Sequence, residues 1–503
     1  MSITAFRAET GSRIPLVLLG AATALVAAAS VGFPLFVVGG TLGLFFMVVV
    51  LRDLAAGVAL FTVLIFLERI PTVSSGVTST TKLAGGVLVL AWLLVVRRDP
   101  KTPLLARRLP VLAYSTLLLL CWTLASMLWA TDPTAARLTG LRFAQGVVLI
   151  FVVFSAVRER RHLKWIVYAF LWGAALSAIV GLAGVTQPDT TDIYASGRLT
   201  GGIGDPNELA AVLIPALAFA LFLLMVETRA LLRWLLLAAS FICAIALFRT
   251  ESRGGLIGLA AMLLASLVLS GPVRARVMTM VLAISGFALA YFTLIAPPQA
   301  LARVTALSAG GGTGRSDLWA VALDVFRAHP LFGIGAGNFP LIEPSYAFHN
   351  RNLPRFDLVV DTPKVVHNTY LNVLVELGVV GFILFALVIV GAFAAAFRAV
   401  RLNAQTGEWE MEVLARGIII GAIGMLAAFV FFSAQYEKQL PLLTALLASL
   451  LTIAEVRPRS SEAESEVQSD FQRPLDSRPV PGDPRTSDRS LRLLHGAGDS
   501  VED

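Results

Sequence analysis

The chain has 503 residues, of which 57% are hydrophobic and only 15% are charged. A soluble globular domain carries about a quarter charged residues, so this composition excludes that class and indicates a protein solvated by lipid. The formal net charge is +7. In a membrane protein such positive charge is first a signal of orientation, and we expect no nucleic-acid partner.

Apolar runs long enough to cross a membrane recur along most of the chain. About 20 apolar residues span the hydrocarbon layer as a helix, and the alternating pattern of an outer-membrane barrel is absent from the sequence. The predicted fold is therefore an all-α polytopic membrane protein with about 12–14 transmembrane helices. The predicted spans are 14–30, 33–51, 54–67, 80–96, 109–129, 138–157, 163–185, 207–226, 230–248, 254–270, 274–295, 368–397, 413–432 and 439–454.

Arg and Lys residues concentrate in alternate connections between these spans. Cytoplasmic loops carry such an excess, so these connections and both termini are predicted to be cytoplasmic. We expect a transmembrane domain at 1–455 and, because its composition is rich in Ser, Pro, Asp and Arg, a disordered cytoplasmic tail at 456–503. The charged connections are 97–108, 158–164, 229–233, 274–276 and 398–401.

The connection at 296–366 is much longer than the others, and connections of this length are usually functional or disordered. Within it, Ser316 can cap a helix whose apolar positions recur at helical spacing and which ends before Pro330. We therefore predict a long periplasmic loop that contains short amphipathic helices, the first of them lying on the membrane surface.

Three Arg residues lie on the predicted outer face, although Arg and Lys are usually concentrated in cytoplasmic loops. Arg253 directly precedes a span and two glycines, so its guanidinium and the backbone N–H groups of that helix start can bind one phosphate. Arg198 lies in a glycine-rich outer loop, and Arg315 starts the amphipathic helix. The alternatives are an interfacial anchor for Arg253 and ordinary loop or cap charges for the other two. The segment 205–208 has the sequence of a capping box and is interpreted as architecture.

Histidine is the side chain best suited to take a proton from a hydroxyl near neutral pH. Among the five His residues, His367 opens an outer-face span that carries further polar residues. Asn368, Asn372 and Glu376 are spaced by four and form a stripe descending into the bilayer, where polar groups are costly unless they face protein or water. Together with Tyr370 they are predicted to support His367 as a base. A helix-capping His367 stays the alternative.

The sequence carries no signal for a metal or a nucleotide. It has no Walker motif, no Cys and His residues at metal-ligand spacing and no D-x-D triplet. We therefore predict no metal site and no cofactor, and the expected donor is a preactivated lipid. A carboxylate-dependent enzyme resembling protein mannosyltransferases is disfavoured, because the first outer loop at 32–34 has no acidic residue.

Four motifs around the long connection resemble, in this order, those of the O-antigen ligase and O-antigen polymerase family of bacterial membrane glycosyltransferases. The similarity covers residues 198–381. The motifs are Ser252-Arg253-Gly254-Gly255, Gly314-Arg315-Ser316-Asp317-Leu318-Trp319, Pro330-Leu331-Phe332-Gly333-Ile334-Gly335-Ala336-Gly337-Asn338-Phe339 and His367-Asn368-Thr369-Tyr370-Leu371.

This resemblance implies a GT-C-like fold and a metal-independent, inverting transfer of a glycan from undecaprenyl diphosphate to a saccharide hydroxyl, in lipopolysaccharide or exopolysaccharide assembly. On that analogy Arg253, Arg198 and Arg315 hold the diphosphate and His367 is the catalytic base. The site would lie on the periplasmic face of the bacterial inner membrane. The resemblance supports the mechanism better than the acceptor, and it leaves ligase and polymerase both open.

A membrane transporter or flippase without covalent chemistry is the alternative function. Glu376 and Arg142 would then line the transport pathway, because ionisable residues inside a membrane usually mark such pathways. Many transporters carry a repeated pair of broken helices, which the sequence does not show.

Overall fold

The computed structural model describes residues 34–70, 80–186, 197–298, 300, 314–349 and 364–455. Within these ranges the chain is helical and forms no strand. The predicted span 14–30 and the predicted tail 456–503 lie outside the described residues, as do parts of the long connection.

The main helices are numbered here in chain order. They are α1 (Pro34–Arg52), α2 (Leu54–Ile65), α3 (Thr80–Arg98), α4 (Pro110–Ala125), α5 (Pro133–Ala156), α6 (Arg160–Leu182), α7 (Pro206–Val226), α8 (Ala230–Arg249), α9 (Arg253–Leu269), α10 (Arg274–Ala290), α11 (Arg315–Ala328), α12 (Phe339–His349), α13 (Thr369–Gln405), α14 (Trp409–Ala428) and α15 (Gln439–Glu455).

Nine helices of the described ranges are long and apolar enough to cross a membrane. Shorter apolar helices accompany them at Gly39–Arg52, Leu54–Ile65, Arg253–Leu269 and Gln439–Glu455. Each predicted span from 33–51 onward overlaps one of these helices or one of the nine. The prediction of an all-α polytopic membrane protein is therefore confirmed.

Helix α7 forms the centre of the bundle. It is apolar on all sides, and 89% of its most apolar window is buried, as expected for a helix surrounded by other helices. It packs against α14 and α8, and α14 packs in turn against α9. A Cβ at Gly258 would lie 2.7 Å from the carbonyl oxygen of Gly424, so glycine permits α9 and α14 to approach closely.

Charged side chains divide between the two ends of the bundle. At one end, called here the Arg158 end, Arg158 pairs with Asp99 at 2.5 Å and Arg160 with Glu408 at 2.6 Å. The Arg and Lys clusters predicted to be cytoplasmic lie at this end, because they flank the last turns of α3 and α13 and the first turn of α6. The opposite end, called the His367 end, holds the starts of α7, α9, α13 and α15.

The amphipathic helix predicted in the long connection is present as α11, with two differences. Its N-cap is Gly314, at φ 72°, and Ser316 instead donates to Asp317 Oδ1 at 3.2 Å. The chain therefore enters the helix through a left-handed residue, a conformation that glycine adopts without steric cost. The apolar face of α11 is buried against protein side chains, among them Ile334, Phe339 and Val366. The sequence led us to expect that this face would lie on the membrane surface, but it packs against protein instead.

Candidate active site

Arg198 is tied to the starts of two helices. Its Nε donates to the carbonyl oxygen of Thr250 at 2.8 Å, and its Nη2 donates to Asn207 Oδ1 at 2.9 Å. Ser252, the N-cap of α9, donates its hydroxyl to the same Asn207 oxygen at 2.9 Å. These bonds hold the glycine-rich loop of Arg198 against the first turns of α7 and α9.

Arg253 and Arg315 converge beside Asp205. They are the first residues of α9 and α11, and Asp205 is the N-cap of α7. Burial lowers the pKa of Arg315, the negative charge of Asp205 opposes this, and the positive charge of Arg253 lowers the pKa further. Arg253 and Asp205 are therefore near enough to Arg315 to act on it, and each of the three lies at the start of a helix. Helix N-termini carry partial positive charge, so the arrangement favours an anion such as a phosphate.

The predicted capping segment at 205–208 is partly confirmed. Asp205 accepts from the backbone N–H groups of Asn207 and Glu208 at 2.7 and 2.9 Å, and Pro206 is the first helical residue. The Glu208 carboxylate, however, accepts a hydrogen bond from Gln439 Nε2 at 3.4 Å. This side chain thus contacts the start of α15, a contact that the sequence did not reveal.

His367 precedes α13 in a left-handed backbone conformation, at φ 53°. Such a conformation costs a non-glycine residue about 1–2 kcal/mol, and it is often found at functional sites. The cap of α13 is Asn368, whose side chain accepts from the N–H of Leu371 at 3.0 Å. The helix therefore does not use His367 as its cap, which removes the alternative left open by the sequence.

Trp319 and Phe431 pack between the residue before His367 and the residue after Arg253. The indole Nε1 of Trp319, on α11, donates to the carbonyl oxygen of Val366 at 3.1 Å. The Trp319 ring lies 6.0 Å from the Phe431 ring, and a Cβ at Gly254 would lie 2.8 Å from the Phe431 Cβ. The residues next to His367 and Arg253 thus pack against the same pair of aromatic side chains, with Arg315 at the start of the same α11.

The first part of α13 is separated from the rest by a break at Gly378, where φ is 68° and ψ is −172°. The glycine-rich turn at 333–337 fills this break: Ile334 N–H donates to the Val375 carbonyl at 3.1 Å, and Gly335 N–H to the Glu376 carbonyl at 2.9 Å. Trp122 Nε1 donates to the Leu377 carbonyl at 2.9 Å. The glycine-rich motif therefore supplies the donors that a broken helix needs.

The predicted polar face of α13 is buried and holds the segment before α15. Glu376 and Asn372 are each 2% exposed. Tyr436 donates its hydroxyl to Glu376 Oε2 at 2.9 Å, and Ser433 donates to Asn372 Oδ1 at 3.3 Å. These bonds favour a supporting role for the polar face over a transport pathway through Glu376.

Tyr370 and Arg142, which were proposed together with Glu376, interact with other parts of the chain. Tyr370 points to α14, because its hydroxyl donates to the Leu426 carbonyl at 2.7 Å. Arg142, the second residue of the transport alternative, acts electrostatically on Glu437. Neither observation supports a line of ionisable groups across the membrane.

Asn207 and Trp319 are the site residues that sequence reasoning missed. Trp319 lies within a motif that carries the family resemblance, and a buried indole N–H usually needs a partner, so its sequence position gave a usable signal. Asn207 gave no such signal in the sequence, because inside a capping segment it is indistinguishable from an ordinary first-turn residue. Its contacts to Arg198 and Ser252 depend on residues far away in the chain.

The fold and site together define a multi-pass, all-α membrane protein with a cationic site and a strained histidine at one end of its helical bundle. Residues 238–386 match the family model described as O-Antigen ligase, which confirms the resemblance seen in the motifs. Through this segment the chain is similar to the O-antigen ligase family. Arg253, Arg315 and His367 lie within the match, whereas Arg198 lies outside it. No curated protein matches the chain.

Proposed function

We propose that the chain transfers a glycan from an undecaprenyl-diphosphate-type lipid to a saccharide hydroxyl. The observation that carries this proposal is the convergence of Arg253 and Arg315 at helix N-termini, next to the aromatic pair that also positions His367. A departing diphosphate needs preorganised positive charge, which this arrangement supplies. Guanidinium groups suit it because each can bind two phosphate oxygens.

Arg198 adds a third positive charge to the proposed diphosphate site. Its bonds to Thr250 and Asn207 fix the guanidinium at the edge of the arginine cluster. A charge held in place before the donor binds loses little conformational entropy in binding, so it contributes more than a mobile surface charge would.

His367 is the proposed general base. The acceptor hydroxyl oxygen attacks the anomeric carbon and forms the new glycosidic bond, while its proton passes to the imidazole. The bond from the anomeric carbon to the diphosphate oxygen breaks on the opposite face, so the anomeric configuration is inverted. The residue chemistry requires no metal, because the donor carries its own leaving group.

The proposed orientation places this chemistry on the periplasmic face of the bacterial inner membrane. The Arg158 end carries the larger excess of Arg and Lys and is therefore assigned to the cytoplasm. The long connection at 296–366, which contains α11 and α12, then extends outside. The helical scaffold with one long outer connection is what a GT-C-like enzyme would need.

The test is the fate of lipid-linked glycan when the gene is deleted. Single repeat units accumulating on the lipid would indicate a polymerase, and long polymer accumulating on the lipid would indicate a ligase. Lipid-linked glycan that accumulates only on the cytoplasmic leaflet would contradict the proposal and favour the flippase alternative. Restoring the wild-type gene should reverse the accumulation.

A further inference from the structure

A second polar cluster also involves the start of α7. Glu208 contacts Gln439, and its carboxyl group interacts electrostatically with those of Glu437 and Asp205. Asp205 also acts on Arg315. The same helix start therefore takes part in both the arginine cluster and this acidic cluster.

The charges of this second cluster are only partly neutralised. Lys438 pairs with Glu68, and the Thr81 hydroxyl donates to the other Glu68 oxygen at 2.7 Å. Burial raises the pKa of Glu68, but Lys438 and Thr81 outweigh burial, so the pKa is lowered overall. For Glu437, burial raises the pKa and the neighbouring Lys438 and Arg69 do not cancel it. The Lys438 and Thr81 contacts therefore dominate at Glu68, whereas burial dominates at Glu437.

Two buried glutamines lie in the segment that leads into α15. Gln439 is 4% exposed and Gln435 is 5% exposed. In the described part of the chain, the side-chain oxygen of each has no hydrogen-bond partner. Because the amide nitrogen of Gln439 donates to Glu208, the rest of that amide lies within the cluster. An unsatisfied buried acceptor costs about 1–3 kcal/mol, so a group that donates a hydrogen bond to Gln439 would stabilise the cluster.

The charges around these acceptor atoms favour a ligand that donates hydrogen bonds without carrying charge. A metal ion does not fit, since the described residues hold no group of three His, Cys, Asp or Glu side chains with suitable geometry, and Arg69 and Lys438 lie among the carboxylates. The carboxyl groups of Glu208 and Glu437 supply no positive charge to hold an anion. Hydroxyl groups of a saccharide donate without charge, and one sugar ring carries several of them.

The cluster is also connected to the neighbourhood of His367. Ala434 N–H donates to the Thr369 hydroxyl at 2.9 Å, two residues beyond His367, and Glu437 N–H donates to the Ala434 carbonyl at 3.2 Å. The segment that carries Glu437 therefore runs from the start of α13 to the start of α15. A glycan bound along it would extend toward the proposed base.

We propose that Glu208, Glu437 and Gln439 form a saccharide subsite that accepts hydrogen bonds from the acceptor glycan. This subsite rests on the proposed function, because only in a transferase is the bound saccharide an acceptor. It assigns the arginine cluster at the start of α7 to the lipid diphosphate and the neighbouring carboxylate cluster to the acceptor.

The experiment uses the full chain in proteoliposomes, with lipid-linked glycan and envelope glycan both extracted from a strain lacking the gene. Initial rates are measured while each substrate is titrated, for wild type, Gln439→Leu and Glu437→Gln. Gln405→Leu, at an exposed position on the Arg158 end of α13, is the matched control. Equilibrium binding of the envelope glycan is measured separately with the lipid-linked donor omitted.

We expect both subsite variants to raise the KM for the acceptor about tenfold, because Leu removes an acceptor and the amide of Gln presents one acceptor oxygen in place of the two of a carboxylate. Both should weaken glycan binding equally and leave the donor KM unchanged. Unchanged acceptor KM in Glu437→Gln, the variant least able to disturb folding, would overturn the subsite, and so would an effect on donor KM alone. Wild-type protein that binds the glycan without transferring it would refute the proposed function and retain the subsite. Wild-type protein that does not bind the glycan would refute the subsite.

Discussion

Arg253 and Arg315 act on each other with like charge, and Asp205 is the acidic group that offsets this. Like charges held together are costly unless an anion arrives to neutralise them. The local chemistry of these side chains therefore favours a ligand with more than one negative charge.

Replacing Arg253 with Lys tests whether geometry matters in addition to charge. The Lys side chain keeps the positive charge but loses the planar fork that binds two phosphate oxygens. We expect kcat/KM for the lipid-linked donor to fall about 10²-fold, the typical cost of removing one stabilising donor from a transition state. Purified protein in proteoliposomes gives this measurement.

Arg249→Lys is the control for that prediction. Arg249 is the last residue of α8, is exposed, and lies at the same end of the bundle. Its replacement should leave activity near the wild-type value. Full activity in the Arg253→Lys protein as well would show that Arg253 is an interfacial anchor, the alternative that the sequence left open.

The break in α13 is the feature that most directly shapes the site, because it fixes the first turns below His367. At Gly378 an added Cβ would lie 2.2 Å from the Leu331 carbonyl oxygen, and φ is 68°. Gly378→Ala should therefore combine backbone strain of about 1–3 kcal/mol with expulsion of the glycine-rich turn. We expect a Tm lower by several degrees and reduced transfer activity.

Gly391→Ala in the same helix provides the comparison, since its Cβ would meet Leu112 at an ordinary 3.5 Å. This variant should keep the wild-type Tm within about 1 °C, given that alanine favours helix formation over glycine. Equal Tm values for both variants would mean that the break at Gly378 does not constrain the fold.

Glu343 makes the stability of α12 depend on pH. Its carboxyl group is fully buried, and burial raises its pKa to about 7, although Lys364 opposes the shift. A glutamate in an unfolded chain has a pKa of about 4.3. The folded state thus holds the proton more tightly, so the stabilisation is complete below pH ~4 and is lost as the pH rises through about 7.

Glu343→Gln should remove this dependence, because the amide stays neutral at every pH. The variant should gain Tm relative to wild type at pH 8 and show little gain at pH 5. Asp324→Asn, which removes an exposed carboxylate paired with Arg327 at 2.7 Å, should show no such pH-dependent gain. A gain for Glu343→Gln that is equal at both pH values would contradict the shifted titration.

The helices of this protein were predictable, whereas their breaks and contacts were not. The run at 206–226 is apolar on all sides and was predicted almost to its ends, because burial of such a run depends on composition alone. The predicted span at 368–397 showed no break, since a glycine in an apolar run also occurs in continuous helices. The pairing of 333–335 with 375–376 joins residues about forty positions apart, which no local pattern encodes.

The residues of the candidate site were likewise predictable in part, whereas their grouping was not. Arg253 and Arg315 were found because Arg on the outer face of a membrane protein is unusual, and His367 because it opens a span that carries further polar residues. Their grouping, and the capping role of Asn368 in place of His367, depends on backbone conformation. The cluster of Glu208, Glu437 and Gln439 was not found, because its members belong to different helix starts and share no motif.

The distribution of charge between the two ends of the bundle predicts how the protein lies in the membrane. Reporters fused after Arg98, Arg161, Arg276 and Arg401 should report the cytoplasm, and a reporter within 296–366 should report the periplasm. Alkaline phosphatase and green fluorescent protein fusions report the two sides independently. An extracytoplasmic signal after Arg401 would reverse the orientation and move the candidate site to the cytoplasmic face.

The proposal that His367 is the base of a glycan transfer is tested most directly by His367→Asn. Asparagine tolerates the left-handed backbone that His367 adopts, at φ 53°, but it cannot take a proton near neutral pH. The variant should therefore insert, fold and bind the lipid-linked donor as the wild type does. His349→Asn, in α12, is the matched control.

The measurement is turnover by purified His367→Asn protein in proteoliposomes with lipid-linked donor, acceptor glycan and no added metal, alongside donor binding by the same preparation. Loss of a general base reduces the rate about 10²- to 10⁴-fold, so we expect donor binding at wild-type affinity with almost no transfer. Transfer by His367→Asn at a rate close to that of wild type would contradict the assignment of His367 as the catalytic base.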